Sequence, residues 1–223
     1  MGDVHRLIAF DLDGTLIDSR RDLADSANQL LGELGAAPLS VDAIGRMVGE
    51  GARVLVQRAL AAVGLQEGPG ALPRFLEIYD TRLLNHTMVY DGVLDAVRLA
   101  RQYARVAVLT NKPAEPSERI LAGLGIRDLF DDLIGGDSPF GRKPDPAGLV
   151  ALMSSTGATA DHTLMIGDSA IDHETARRAS VQCCLTAYGF GYETFPAERL
   201  TGDDWVVNSA QELRAAIERF ANQ

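Results

Sequence analysis

Cysteine is almost missing from this chain: 223 residues contain only Cys183 and Cys184, adjacent within an apolar stretch. Neighbouring residues on a strand point to opposite faces, so these two thiols are not expected to bridge. They read as buried thiols of a cytoplasmic protein rather than a redox or metal pair. Positive charge is also short, with 21 Lys and Arg against 31 Asp and Glu and a net charge of −10. That balance argues against broad binding to nucleic acid or anionic membranes. It also means that an anionic substrate needs locally positive help. Apolar runs are too short and interrupted to span a membrane. The opening residues, Met1-Gly2-Asp3-Val4-His5-Arg6, lack the basic and apolar regions of a signal peptide, and Arg6 breaks the myristoylation pattern. No repeat or low-complexity tract occurs, and His5, His86, His162 and His173 are scattered without metal-ligand spacing.

What the chain does have begins at Asp11-Leu12-Asp13-Gly14-Thr15-Leu16, directly after the apolar run Leu7-Ile8-Ala9-Phe10. The run reads as a buried strand. Two carboxylates spaced two apart then lie at its carboxyl end, where open α/β sheets place their ligands, and Gly14 lets the backbone turn sharply away. Further short apolar runs, at 106–109, 133–134, 164–166, 181–185 and 205–207, read as strands separated by helical patterns. Their alternation predicts an α/β fold with a Rossmann-like parallel sheet. More than ninety residues separate the first two of these strands, and they carry three apolar stripes of helical spacing. One is Leu23, Ala27, Leu30, Leu31 and Leu34; the next is Leu55, Ala59, Ala62 and Val63; the third is Leu72, Phe75, Leu76, Tyr79 and Leu83. Residues 16–88 are therefore expected to form an inserted α-helical cap, with residues 1–15 and 89–223 as the core.

Three later segments repeat the strand-end pattern. Thr110-Asn111 follows the second strand and offers a hydroxyl and an amide as neutral hydrogen-bond donors to phosphate oxygens. Gly141-Arg142-Lys143-Pro144-Asp145-Pro146 precedes a helix, with Asp145 suited to the N-cap and Lys143 able to point its ammonium into the crevice. Gly167-Asp168-Ser169-Ala170-Ile171-Asp172 sets two carboxylates one helical turn apart. Asp11, Asp13, Asp168 and Asp172 would repel one another in a partly dry cleft. A hard divalent cation that prefers oxygen ligands, Mg²⁺ above all, relieves that repulsion. With Mg²⁺, Lys143 and one protonated carboxyl, Asp13, the site becomes neutral enough to admit a phosphate dianion.

These four elements, Asp-x-Asp-Gly-Thr, Thr-Asn-Lys-Pro, Lys-Pro-Asp-Pro and Gly-Asp-Ser-x-x-Asp, resemble in kind and order the motifs of the haloacid-dehalogenase superfamily of phosphohydrolases. The resemblance implies that Asp11 is the nucleophile and Asp13 the general acid/base. It implies Mg²⁺ held by Asp11, the backbone carbonyl of Asp13 and Asp168, with Asp172 in support. Thr110, the backbone of Asn111 and Lys143 would hold the transferring phosphoryl group. Within the superfamily the chain is most similar to the bacterial phosphoglycolate phosphatases. That similarity extends into the insert at Val48-Gly49-Glu50-Gly51-Ala52-Arg53-Val54-Leu55 and past the last motif at Tyr188-Gly189-Phe190-Gly191. It implies a cytoplasmic enzyme that hydrolyses 2-phosphoglycolate to glycolate and phosphate through an aspartyl phosphate. Members more often carry Gly where this chain has Ser180, which lies away from the chemistry.

In the insert, Gly51 and Arg53 stand where a cap helix begins; free N–H groups and a guanidinium there can take a carboxylate. Other readings meet obstacles or remain open. A phosphorylatable receiver is shorter and has no cap. A carbon–halogen dehalogenase does not need Asp13, since a halide leaves without a proton. A phosphatase for another small phosphate ester and a sugar phosphomutase share this pattern.

Overall fold

A computed structural model of the chain describes residues 5–223, so the opening stretch Met1 to Val4, read above as lacking a targeting signal, lies outside the described residues. The chain begins with β1 (Leu7–Phe10), β2 (Ile17–Asp18), α1 (Arg20–Glu33), α2 (Val41–Gly45), α3 (Ala52–Ala62) and α4 (Ala71–Asp80). It continues through β3 (Met88–Val89), α5 (Val93–Ala100), β4 (Arg105–Leu109), α6 (Ala114–Gly123), β5 (Asp132–Ile134) and α7 (Ala147–Thr156). The last elements are β6 (Thr163–Gly167), α8 (Ala170–Arg178), β7 (Gln182–Thr186), β8 (Trp205–Val207) and α9 (Ala210–Ala221).

Six strands form one parallel sheet in the order β5-β4-β1-β6-β7-β8. Counted within this sheet alone, that is the doubly wound order in which the chain starts at the centre and works outward on each side. All six expected strands are present. Their side chains alternate between two apolar clusters, as period two requires. Ile8, Phe10, Val106, Val108, Leu164 and Ile166 face α5, α6 and α9, through Val97, Ile120 and Ile217 among others. Leu7, Ala9, Ala107, Leu109 and Met165 face α7 and α8, through Leu149, Leu152 and Ala176. Cys184 joins the first cluster and Cys183 the second, both free and buried, so the adjacent thiols do point to opposite faces.

Helices α1 to α4 occupy the stretch between β2 and β3, and these two short strands pair antiparallel, Ile17 opposite Val89 and Asp18 opposite Met88. The ribbon ties together the start and end of the helical segment, a feature too short to register as a hydrophobic pattern. Within the segment α1 packs on α2, α3 and α4. The buried face of α3 is Leu55, Val56, Ala59 and Leu60, and that of α4 is Ala71, Phe75, Ile78 and Tyr79. The expected stripes are therefore corrected at three positions: Leu34 and Ala62 end their helices on the solvent side, and Leu76 is 40% exposed beside the cleft described below. Ser180 adopts a left-handed backbone at φ 55° just after α8, where Val181 N–H reaches back to the Ala176 carbonyl. Glycine is the usual residue in such a helix-ending turn because it lacks the Cβ that a left-handed backbone disfavours, and nothing in the structure explains the serine.

Candidate active site

The doubly wound order places three adjacent strand ends side by side, and each is followed immediately by a polar residue. Asp11 follows β1, Thr110 follows β4 and Asp168 follows β6. The sheet ladder continues one step beyond β1 and β4, with Asp11 N–H donating to the Ile166 carbonyl (2.8 Å) and Thr110 N–H to the Ile134 carbonyl (3.0 Å). Those bonds fix the backbone from which the side chains project. The sharp turn after Asp13 requires glycine for two reasons. Gly14 has φ 91°, and a Cβ there would lie 1.8 Å from Asp168 Oδ2. Gly189 is similarly constrained, since its Cβ would meet the Gly14 carbonyl at 2.2 Å. The following turn lets Gly191 N–H donate to Asp168 Oδ2 at 2.7 Å.

Asp172 stands in the first turn of α8, where its Oδ2 accepts from the Ser169 N–H (3.1 Å) and hydroxyl (2.6 Å) in a capping box. This leaves Oδ1 for Lys143, whose Nζ donates to it and to Asp11 Oδ1, both at 2.6 Å. Lys143 arrives from the loop between β5 and α7 and is only 6% exposed, so its ammonium does point into the crevice. Asp145, in the same loop, accepts from Ala147 N–H at 2.9 Å as the helix starts. Asp11, Asp168 and Asp172 each bring a carboxylate oxygen within 4.8 Å of the others. Among the described residues this is the only group of His, Cys, Asp or Glu able to hold a metal ion.

Burial and neighbouring carboxylates make this cluster costly to ionise. Burial, together with Asp172 and Asp13, raises the Asp11 pKa to about 7 despite Lys143. Asp168 is raised well above its usual range, first by burial and then by Asp11 and Asp172. Burial alone would favour a neutral Lys143, but Asp11 and Asp172 outweigh it and keep the ammonium charged. Hard oxygen donors crowded in this way fit a divalent cation of the Mg²⁺ or Ca²⁺ type.

Asp13 is turned away from that triad. Its Oδ1 accepts from the Ser19 hydroxyl, and its Oδ2 lies 3.2 Å from Lys112 Nζ. Lys112, 8% exposed, also donates to the Tyr79 hydroxyl at 2.8 Å and sits 4.6 Å from that ring's centroid. Neither Ser19 nor Lys112 was anticipated. Lys112 belongs to the Thr-Asn-Lys-Pro motif and was visible there, whereas Ser19 has no pattern that marks it. Lys112 also changes the charge balance expected from sequence. Two buried ammonium groups offset half of the four carboxylate charges and one divalent cation offsets the rest, so a proton on Asp13 leaves one positive charge in excess to meet the phosphate dianion.

A narrow cleft opens above Asp11 and Asp13, with Thr110, Asn111 and Lys112 on the core side and Val48, Leu55, Phe75, Leu76 and Tyr79 on the other. Gly51 and Ala52, at the start of α3, also line it. Arg53 does not reach it. Its guanidinium, 57% exposed, pairs with Glu67 at 3.1 Å on the outer side of α3. One residue of helix rotates a side chain by roughly 100°, so Ala52 can face the cleft while Arg53 turns outward. The Asn111 amide group is also not free to donate to a ligand. Both bonds from its nitrogen are spent, on the Gly49 and Lys143 carbonyls at 2.9 Å each, and its Oδ1 is buried without a partner.

The chain matches the haloacid dehalogenase-like hydrolase family over residues 8–186, a span that includes every strand-end residue described above. A protein named phosphoglycolate phosphatase from Rhodospirillum rubrum is 44% identical over 197 residues, covering 84% of this chain and 82% of the relative. Another of that name, from Colwellia psychrerythraea, is 36% identical and covers 96% of this chain and 97% of its own. The crystal structure of a protein described as a predicted phosphoglycolate phosphatase from Haemophilus somnus superposes with a TM-score of 0.86 at 29% identity, covering 97% of this chain and 99% of that one. With its strand-end carboxylates and lysine inside the matched span, and a relative 44% identical over most of its length, the chain belongs to the haloacid dehalogenase-like hydrolase family.

Proposed function

We propose that this chain, a phosphoric monoester hydrolase, converts 2-phosphoglycolate to glycolate and inorganic phosphate in the cytoplasm. The observation that carries this reading is the convergence of Asp11, Asp168, Asp172 and Lys143 at adjacent strand ends, beneath a cleft that Asp13 also lines. The names of relatives 44% and 36% identical over most of this chain supply the substrate.

Asp11 attacks phosphorus as the nucleophile, and the bond from phosphorus to the ester oxygen breaks. Asp13 delivers a proton to the departing alkoxide, then takes one from the water that splits the aspartyl phosphate, releasing phosphate and regenerating Asp11. The Ser19 hydroxyl and Lys112 orient Asp13 for both transfers. Lys143, held by Asp172, and the Thr110 hydroxyl bind the phosphoryl oxygens, with the Asn111 backbone N–H beside them. Asp11, the Asp13 carbonyl and Asp168, with Asp172 in support, would hold Mg²⁺, which would supply charge neutralisation of the phosphate. Residues 16–88 act as the cap that closes on the core and excludes water from the acyl phosphate. The Asn111 amide, bonded to the Gly49 carbonyl on one side and the Lys143 carbonyl on the other, holds that closed arrangement.

The test is a panel of small phosphate esters assayed for phosphate release with Mg²⁺ and after chelation. The highest kcat/KM is expected for 2-phosphoglycolate, and activity is expected to vanish with chelator and return with Mg²⁺. A different ester at the top of the panel overturns the substrate, and full activity in metal-free protein overturns the metal.

A further inference from the structure

The cleft contains an ammonium whose hydrogen-bonding capacity is not used up by orienting Asp13. Lys112 is the sole Lys or Arg among the described residues lining it. Its ammonium carries three N–H donors. Two acceptors are within reach, Asp13 Oδ2 at 3.2 Å and the Tyr79 hydroxyl at 2.8 Å, so one donor remains. Asp13 and Tyr79, like Lys112, line the cleft. Around them the wall is apolar, formed by Leu23, Leu55, Phe75 and Leu76. A leaving group that brings a carboxylate into such a space must find a charged partner there, because an unpaired buried ion is strongly unfavourable.

We infer that Lys112 binds the carboxylate of the substrate's leaving group and is the residue that selects 2-phosphoglycolate over esters lacking that charge. This rests on the phosphoglycolate reading above. Placement supports it: if Asp13 protonates the ester oxygen, Lys112 at 3.2 Å from Asp13 stands beside that oxygen. The carboxylate of 2-phosphoglycolate is one methylene away from the ester oxygen, so the ammonium spans acid and substrate together. Arg53, the cation expected from sequence, is engaged with Glu67 outside the cleft. Tyr79 holds the ammonium from the cap side through its hydroxyl and ring, which couples recognition of the carboxylate to the closed position of α4.

The test measures kcat/KM for 2-phosphoglycolate and for ethyl phosphate, similar in size but uncharged at that end, in the unaltered enzyme and in Lys112→Met. Loss of the contact with Asp13 slows both esters alike, so their ratio isolates the carboxylate. The unaltered enzyme is expected to favour phosphoglycolate by roughly tenfold or more, the value of one charged hydrogen bond. Lys112→Met should bring the ratio to within about twofold, and Lys112→Arg should restore part of it. Tyr79→Phe, which removes one hydroxyl only, should lower the ratio by a few-fold and carries the test if Lys112→Met does not fold. A preference that persists unchanged in these variants overturns the role of Lys112 and leaves the phosphoglycolate assignment standing. Equal kcat/KM for the two esters in the unaltered enzyme overturns both.

Discussion

On the floor of the cleft, Asp11, Asp168, Asp172 and Lys143 are packed at hydrogen-bonding or near-contact distance and almost wholly removed from water. On its roof, Val48, Leu55, Phe75 and Leu76 present hydrocarbon, and the pairs Arg53–Glu67 and Arg58–Glu50 of the helical segment lie at the solvent-exposed surface. The two surfaces obey different rules. Buried charges hold together only as a compensated set, and removing one partner leaves another uncompensated at a cost of about 3–5 kcal/mol. An apolar wall tolerates exchange of similar volumes at less than about 1.5 kcal/mol. A fold divided in this way can keep one reaction on the floor while the roof is altered to admit another leaving group. Lys112 is the exception, a floor residue whose ammonium reaches up to the roof at Tyr79.

The largest effect belongs to the floor. Asp11→Asn is expected to remove nearly all turnover while leaving the protein folded, since the change is nearly isosteric and removes a charge that Asp168 and Asp172 repel. Single turnover in ¹⁸O-water should place label in the Asp11 carboxylate of the unaltered enzyme, read by mass spectrometry of the peptide that contains it. An unlabelled carboxylate would mean that water attacks the ester directly, and the floor would then be a metal-binding surface without a nucleophile.

This division also explains what was legible in the sequence. Asp11, Thr110 and Asp168 could be read because each follows an apolar run directly, and a parallel sheet brings consecutive strand ends together whatever lies between them. Lys143 gained meaning from the same geometry, since the loop after β5 opens onto those ends. Side-chain direction on an isolated helix has no such anchor. Arg53 sits one residue from Ala52, which lines the cleft, yet it points outward to Glu67. Leu76 fits an apolar stripe of helical period but is the residue of that stripe exposed beside the cleft, while Ile78 takes the buried place. Ser19 was invisible because its task, donating its hydroxyl to Asp13 from six residues away, depends on the turn at Gly14 rather than on any spacing. The pairing of β2 with β3 escaped for a similar reason, since two residues per strand make no pattern.

A smaller and more selective loss should follow Asp13→Asn. General acid–base assistance is worth ~10²–10⁴-fold, and the deficit in the phosphoryl-transfer step should approach that range for 2-phosphoglycolate, whose alkoxide must be protonated as it leaves. It should shrink with p-nitrophenyl phosphate, whose phenolate leaves readily without a proton. Pre-steady-state release of the alcohol compares the two. Equal losses would remove Asp13 from the acid role and make its bonds to Ser19 and Lys112 purely structural, so that the floor would end at Asp11.

Arg53→Ala is the smallest expected change and the sharpest probe of the boundary between floor and roof. The guanidinium is 57% exposed and 3.1 Å from Glu67, which also accepts from Gln57 at 2.7 Å, so its place is in a solvated link between α3 and the loop that follows it. Exposed pairs of this kind contribute about 0.2–1 kcal/mol, and less as salt screens them. Arg53→Ala should therefore lower the melting temperature slightly at low ionic strength and leave kcat/KM for 2-phosphoglycolate within about twofold, a shift no larger than a few tenths of a kcal/mol. A loss of roughly tenfold in kcat/KM, with little change for ethyl phosphate, would show a charged contact to the carboxylate made from the cap. Arg53 would then have to leave Glu67 and swing across the α3 terminus when substrate binds. In that event the roof would hold a second selecting cation, and the separation of reaction from recognition would lie between Lys112 and Arg53 rather than at Lys112 alone.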